Sequence, residues 1–307
     1  MRLFDLHCDT LYRAFTENKS IIKNDFEISI ERGSTLDKWI QCMAVWIPDD
    51  VRGHQAELLV EKCCSLLDSE LDQCRKQNID AAKIDSVSDI KSQFNVMLTI
   101  EGGAALNGKL ENIERYRKLG VRAMTLTWNG SCEIGDGADV VNPIGITDFG
   151  REAIAEMERC GIVVDVSHAS DKLFYDVAEI AKRPFIATHS NSRTVCGHRR
   201  NLTNEQFEII KNSGGIVGIN FHRHFLAEQN QSISDIIKHV EYFLSLGGEN
   251  TLSIGTDFDG GELPDDIHGI EDMHKIYEEF TRLNYNSVLL EKLFFKNSFN
   301  FYQSFDI

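Results

Sequence analysis

A chain of 307 residues with 42% hydrophobic and 26% charged side chains has an ordinary globular composition, long enough to bury a large core. Its formal charge of −16 argues against nucleic acid and anionic membranes as partners, since both are recognised by clustered Lys and Arg. No run approaches the ~18 apolar residues of a membrane span, and "MRLFDL" is interrupted at once by Asp5, His7 and Asp9 rather than opening a signal peptide, so a cytoplasmic location is expected. The eight cysteines fit that address: they are scattered without CxxC spacing, which indicates neither a disulfide framework nor a zinc knuckle.

Eight short apolar runs follow in chain order: "LFDLH", "WIQCMAVWI", "FNVMLTIEGG", "VRAMTLTW", "GIVVDVSH", "FIATHS", "GGIVGINFH" and "TLSIGTDFDG". Between them, helical periodicity predicts helices over residues 53–76, 109–119, 147–160, 170–181, 203–212, 233–246 and 286–296. Thr147 before Asp148, and Thr203 before Glu205 and Gln206, supply start signals. Strands that are nearly continuous in apolar residues and are followed by helices imply a parallel sheet covered outside. Eight of them suggest one closed (β/α)8 TIM barrel spanning residues 1–307. A doubly wound open sheet is the alternative, but no Gly-rich phosphate loop follows the first run.

Chemistry sits at the ends of these runs. His7 and Asp9 end the first, two residues apart and so on one face of a strand. Glu101 ends the third, His168 the fifth, His189 the sixth, and Asp257 with Asp259 the eighth. In such a barrel all strand carboxyl ends open onto one face, so residues distant in sequence converge there. Imidazole nitrogens and carboxylate oxygens are what zinc takes.

"DLHCDT", "TIEGG", "DVSHAS", "THSNSR…RRNLT" and "GTDFDG", in this order, resemble the membrane dipeptidase (renal dipeptidase) family of the metal-dependent amidohydrolase superfamily, in its bacterial soluble form. The resemblance runs from residue 3 to about residue 270. It implies two zinc ions, one held by His7 and Asp9 and the other by His168 and His189, with Glu101 bridging both. A water shared by two such ions is held as hydroxide near neutral pH and attacks the peptide carbon of a small dipeptide. The resemblance makes Asp257 the catalytic base and Arg200 the reader of the substrate's free carboxylate, with tolerance for a C-terminal D-residue and a homodimer as a compatible assembly. Asp259 is expected to support its loop.

One departure stands out. Better-known relatives carry a substrate-binding histidine after the fourth run, where this chain reads "TLTWN". Trp128 and Asn129 are therefore the candidate substrate contacts there, each able to donate a hydrogen bond. His222 and His224 close the seventh run and could line the pocket, but a place at the surface or behind it is the favoured expectation, and His54 and His239 receive no role. Two rival functions remain open at this level: another amide hydrolase, acting on N-acyl amino acids or lactams, and a metal-bearing binding protein with impaired turnover.

Overall fold

The first run becomes strand β1 (Arg2–Cys8), parallel to β2 (Lys38–Trp46) on one side and β8 (Leu252–Ile254) on the other, in a computed structural model that describes residues 1–305. With β3 (Ala81–Lys83), β4 (Phe94–Glu101), β5 (Val121–Thr125), β6 (Val163–Asp165) and β7 (Val217–Ile219), the sheet runs in the order β6-β5-β4-β2-β1-β8-β7. The short β3 lies off this path, pairing only with β4 across Ala81 to Phe94, and its weakly apolar "AAK" gave no strand signal. The remaining step is made by the sixth predicted run: Ile186 bridges in parallel to Asp165 and Ala187 to Val217. The ring is an eight-membered barrel of this α/β class, with the sixth member reduced to single bridges.

The reduction has a local cause. The Asp165 carboxylate accepts from Thr188 Oγ1 at 2.6 Å and from the Thr188 backbone N–H at 3.0 Å, so a side chain takes a backbone donor that a longer ladder would use. The barrel's lower interior is filled by Phe4, Leu6, Ile40, Met97, Ala123 and Val163, which cluster with Phe301 and Tyr302 of the last helix, Asn297–Phe305. Tyr302 stacks on Phe4 with ring centroids 5.6 Å apart. The cluster of histidines and carboxylates lies at the opposite, carboxyl-terminal mouth.

Six of the seven predicted helices appear within a few residues of their expected limits, among them His54–Lys76, Asp148–Cys160 and Asn204–Ser213, whereas the seventh, 286–296, is α-helical only over Ser287–Glu291. The Thr147 hydroxyl accepts from the Gly150 N–H, and Thr203 forms a reciprocal capping box with Gln206. The structure departs from expectation at the end of the chain. Residues Lys292–Lys296 form a π turn that buries Leu293, Phe294 and Phe295 in succession, which erases the 3.6-residue period and hides the helix that follows. Three further helices, Thr10–Glu17, the single turn Arg223–Leu226 and Met273–Arg282, are also unforeseen. Among the described residues no helix is long and apolar enough to cross a membrane.

At the closing point, backbones approach so closely that only glycine fits. A Cβ on Gly255 or Gly218 would lie 1.8 or 1.9 Å from the Thr188 carbonyl oxygen. Gly255→Ala is expected to cost about 1–3 kcal/mol or more of stability, seen as a lower denaturation midpoint with little change in slope; an unchanged midpoint would show that the closure is slack.

Candidate metal centre

His7, Asp9, Glu101, His168, His189 and Asp257 meet at the barrel mouth. Three overlapping triplets, His7/Asp9/Glu101, Glu101/His168/His189 and His7/His189/Asp257, each place one donor atom per residue within 4.8 Å of the others. Glu101 lies between the histidines: Oε2 is 3.6 Å from His7 Nε2, while Oε1 is 2.8 Å from His168 Nε2 and 3.6 Å from His189 Nε2. Asp9 Oδ2 stands 3.5 Å from His7 Nε2, and Asp257 Oδ1 3.8 Å. All six residues are buried.

The imidazoles are held from behind. His168 Nδ1 pairs with Asn129 Oδ1 at 2.7 Å, and His189 Nδ1 with Thr188 Oγ1 at 2.8 Å, whose hydroxyl in turn donates to Asp165. If each Nδ1 carries the proton, each Nε2 is left as a lone-pair donor facing the cluster. His168 and Asp257 achieve their directions with φ of 67° and 62°, a region few non-glycine residues occupy.

The electrostatics point the same way. Burial drives Glu101 well above the usual carboxylate range, with Asp9 adding to the effect, and burial likewise raises Asp257. Burial opposes charge on His7, yet Glu101, Asp9 and Asp257 together lift it to about 10. Burial also holds His168 and His189 well below the ordinary histidine value, assisted by Arg200 and His7. His7 Nε2, His189 Nε2 and Asp9 Oδ1 have no hydrogen-bond partner although buried. Orphaned donors of this chemistry, aimed at one another, fit divalent metal ions of the zinc type.

Above the cluster opens a cavity of ≈ 260 Å³ whose wall includes Tyr12, Trp46, Trp128, Asn129, His222 and Phe225. Trp128 stands at the wall as the sequence suggested. Asn129 does too, though its side-chain oxygen is committed to His168. Arg200 is buried with Nε and Nη2 unpartnered, but it is not itself on the wall; its guanidinium packs over the Phe225 ring, 5.5 Å from the centroid. Arg199 is the exposed neighbour, 3.7 Å from Asp139.

Asp259 accepts from Thr10 Oγ1 at 2.5 Å, Arg13 Nη1 at 3.0 Å and the backbone N–H of Glu27 at 2.8 Å, which ties three segments together as loop support. The expectation for His222 is corrected, because Nδ1 pairs with the Glu262 carbonyl at 3.0 Å and the ring joins the cavity wall. His224 remains exposed, near Glu262. His239 is a buried strut between the Ser192 N–H and the Leu226 carbonyl. Sequence reasoning missed Tyr12 and Trp46, because Tyr12 lies on an unforeseen helix and Trp46 reads as one more apolar residue of a strand.

Fold and donor set together define a barrel hydrolase of the metal-dependent kind. The family model "Membrane dipeptidase (Peptidase family M19)" matches residues 1–305. The chain belongs to the membrane dipeptidase family and is a metallopeptidase of the dipeptidase type. It is 32% identical over 209 residues to an uncharacterized protein of the pqqA 5′ region of Klebsiella pneumoniae, covering 64% of this chain and 77% of that one. It is 30% identical over 213 residues to the uncharacterized dipeptidase C965.12 of Schizosaccharomyces pombe, covering 65% of this chain and 51% of that one. Its fold is similar, with a TM-score of 0.90 and 23% identity over 99% of each chain, to a metallo peptidase from Rhodobacter sphaeroides liganded with a phosphinate mimic of the dipeptide L-Ala-D-Ala.

A Cβ on Gly260 would fall 2.1 Å from Asp9 Oδ2 and 2.6 Å from Asp257 Oδ1. Gly260→Ala is therefore expected to displace a donor and lower bound metal in elemental analysis, while far-ultraviolet circular dichroism stays unchanged.

Proposed function

We propose that the chain is a binuclear zinc dipeptidase that hydrolyses small dipeptides, including those with a C-terminal D-residue. One observation carries the reading: buried, unpartnered donors converge at the mouth beside a buried, unpartnered guanidinium. His7 and Asp9 would hold one ion and His168 and His189 the other, with Glu101, whose two oxygens face both sides, between them. Two zinc ions bound there supply an activated water and polarise the scissile carbonyl.

The chain's own groups do the rest. Asn220 Nδ2 donates to Asp257 Oδ2 at 2.9 Å and leaves Oδ1 turned toward His7, so Asp257 is oriented to take a proton from the attacking water and return it to the departing amine. Arg200, whose free Nε and Nη2 lie on one edge of the guanidinium, offers a two-point grip on a carboxylate. Trp128 walls the substrate and the Asn129 amide nitrogen contacts it. The phosphinate dipeptide mimic bound by the Rhodobacter relative supports this substrate class and its D-residue. Eight cysteines without a disulfide support a cytoplasmic location.

The direct test is turnover of zinc-loaded protein on dipeptides, N-acetyl amino acids and a β-lactam, with and without chelator. Dipeptides should be cleaved best; preference for either other class would replace this reading. Asp257→Asn should lower kcat by about 10² to 10⁴ while metal content stays near that of the wild type. Full turnover in that variant would move the proton elsewhere.

Arg200→Lys keeps the charge but loses the fork, so KM for dipeptides should rise. Dipeptide amides, lacking the carboxylate, should be poor substrates of both forms. A wild-type kcat/KM ratio of dipeptide to amide near one, or a ratio unmoved by the substitution, would contradict the role of Arg200.

A further inference from the structure

The wall of the cavity above the metal centre carries two groups of contacting side chains. In one, His222 and Phe225 meet edge to face with centroids 4.5 Å apart, Arg200 packs over Phe225, and Asn220 links this segment to Asp257. In a separate contact group, Trp46 makes edge contacts with Tyr12 and with Trp128, both at 4.8 Å, and Trp128 lies 6.4 Å from the His168 ring. All three of these aromatic side chains line the cavity. They come from three places: the helix after β1, the end of β2 and the loop after β5.

We propose that Tyr12, Trp46 and Trp128 form an aromatic subsite that selects an apolar side chain on the N-terminal residue of the dipeptide. The assignment rests on the dipeptidase reading. A dipeptide whose C-terminal carboxylate is held by Arg200, behind the wall, leaves its N-terminal residue in the cavity, where Tyr12, Trp46 and Trp128 offer an apolar surface. Mutually buttressed rings cannot fold away there, so a glycine side would leave apolar surface wet and an acidic one would lose its hydration against it. A leucine or phenylalanine side chain covers that surface. The cavity lies just below the roughly 300–1,000 Å³ usual for ligand sites, so a dipeptide fills it.

The test compares kcat/KM of zinc-loaded protein for Leu-Ala, Phe-Ala, Gly-Ala and Asp-Ala. Apolar N-terminal residues should be preferred over glycine by about tenfold or more, the scale at which pockets discriminate side-chain size, and aspartate should be worst. Trp128→Ala should collapse the Leu/Gly ratio to below about threefold, and Trp128→Phe, which keeps a ring, should restore most of it.

A second readout does not depend on turnover. Two of the three tryptophans, Trp46 and Trp128, line the cavity, so intrinsic fluorescence should change when phosphinate dipeptide mimics bind. A mimic with a leucine-like N-terminal side chain should bind about tenfold tighter than its glycine counterpart. Equal rates and equal binding across the series would overturn the aromatic subsite alone, as would a ratio untouched by Trp128→Ala. Failure to cleave any dipeptide would overturn the dipeptidase reading with it.

Discussion

Three carboxylates and three imidazoles share one buried volume at the barrel mouth. Glu101 and Asp257 are driven toward protonation by burial, His7 is driven toward charge by those same carboxylates, and His168 and His189 are held neutral. Burying ionised carboxylates costs several kcal/mol each unless a counter-charge is close. Divalent cations meet that demand at once, accepting lone pairs from the neutral rings and offsetting the acids. Much else at this end of the molecule follows, including the left-handed backbone at His168 and Asp257 and the bare Cα of Gly260 against two carboxylates.

Acidic residues at the same mouth have two fates, and hydrogen-bond donors decide between them. Asp5 accepts from the Thr256 N–H and hydroxyl and from Gln41 Nε2; Asp165 accepts from Thr125, Ser167 and Thr188; Asp259 accepts from Thr10, Arg13 and two backbone N–H groups. These three are spent on fixing strand ends. Asp9 Oδ1 has no partner, Glu101 faces only the histidines of the cluster, and Asp257 receives only Asn220, which leaves their oxygens for an ion or a substrate. A site is built here by withholding donors as much as by supplying ligands.

How far the sequence reveals this depends on the kind of signal. Barrel strands such as β2 and β4 are nearly continuous in apolar residues, so their number and the residues at their ends are visible in one dimension, and the six-residue cluster follows from the rule that parallel strand ends share a face. Signals that depend on packing are not visible. The π turn at Lys292–Lys296 breaks the periodicity by which helices are read, and the sixth barrel member is held by a carboxylate rather than a ladder. His222 reads as a strand-end histidine at the surface or behind the pocket until its Glu262 carbonyl contact and its place in the wall are seen. Trp46 reads as a core residue until Tyr12 and Trp128 are found against it.

The central claim is that the cluster is built for two divalent ions rather than one. Elemental analysis of protein incubated with excess zinc and then freed of loosely bound metal tests it most directly. The account predicts close to two zinc equivalents per chain, with both lost together in Glu101→Gln, because one carboxylate faces both sides of the cluster. One equivalent or none in the wild type, or a Glu101→Gln variant that keeps two, would contradict it.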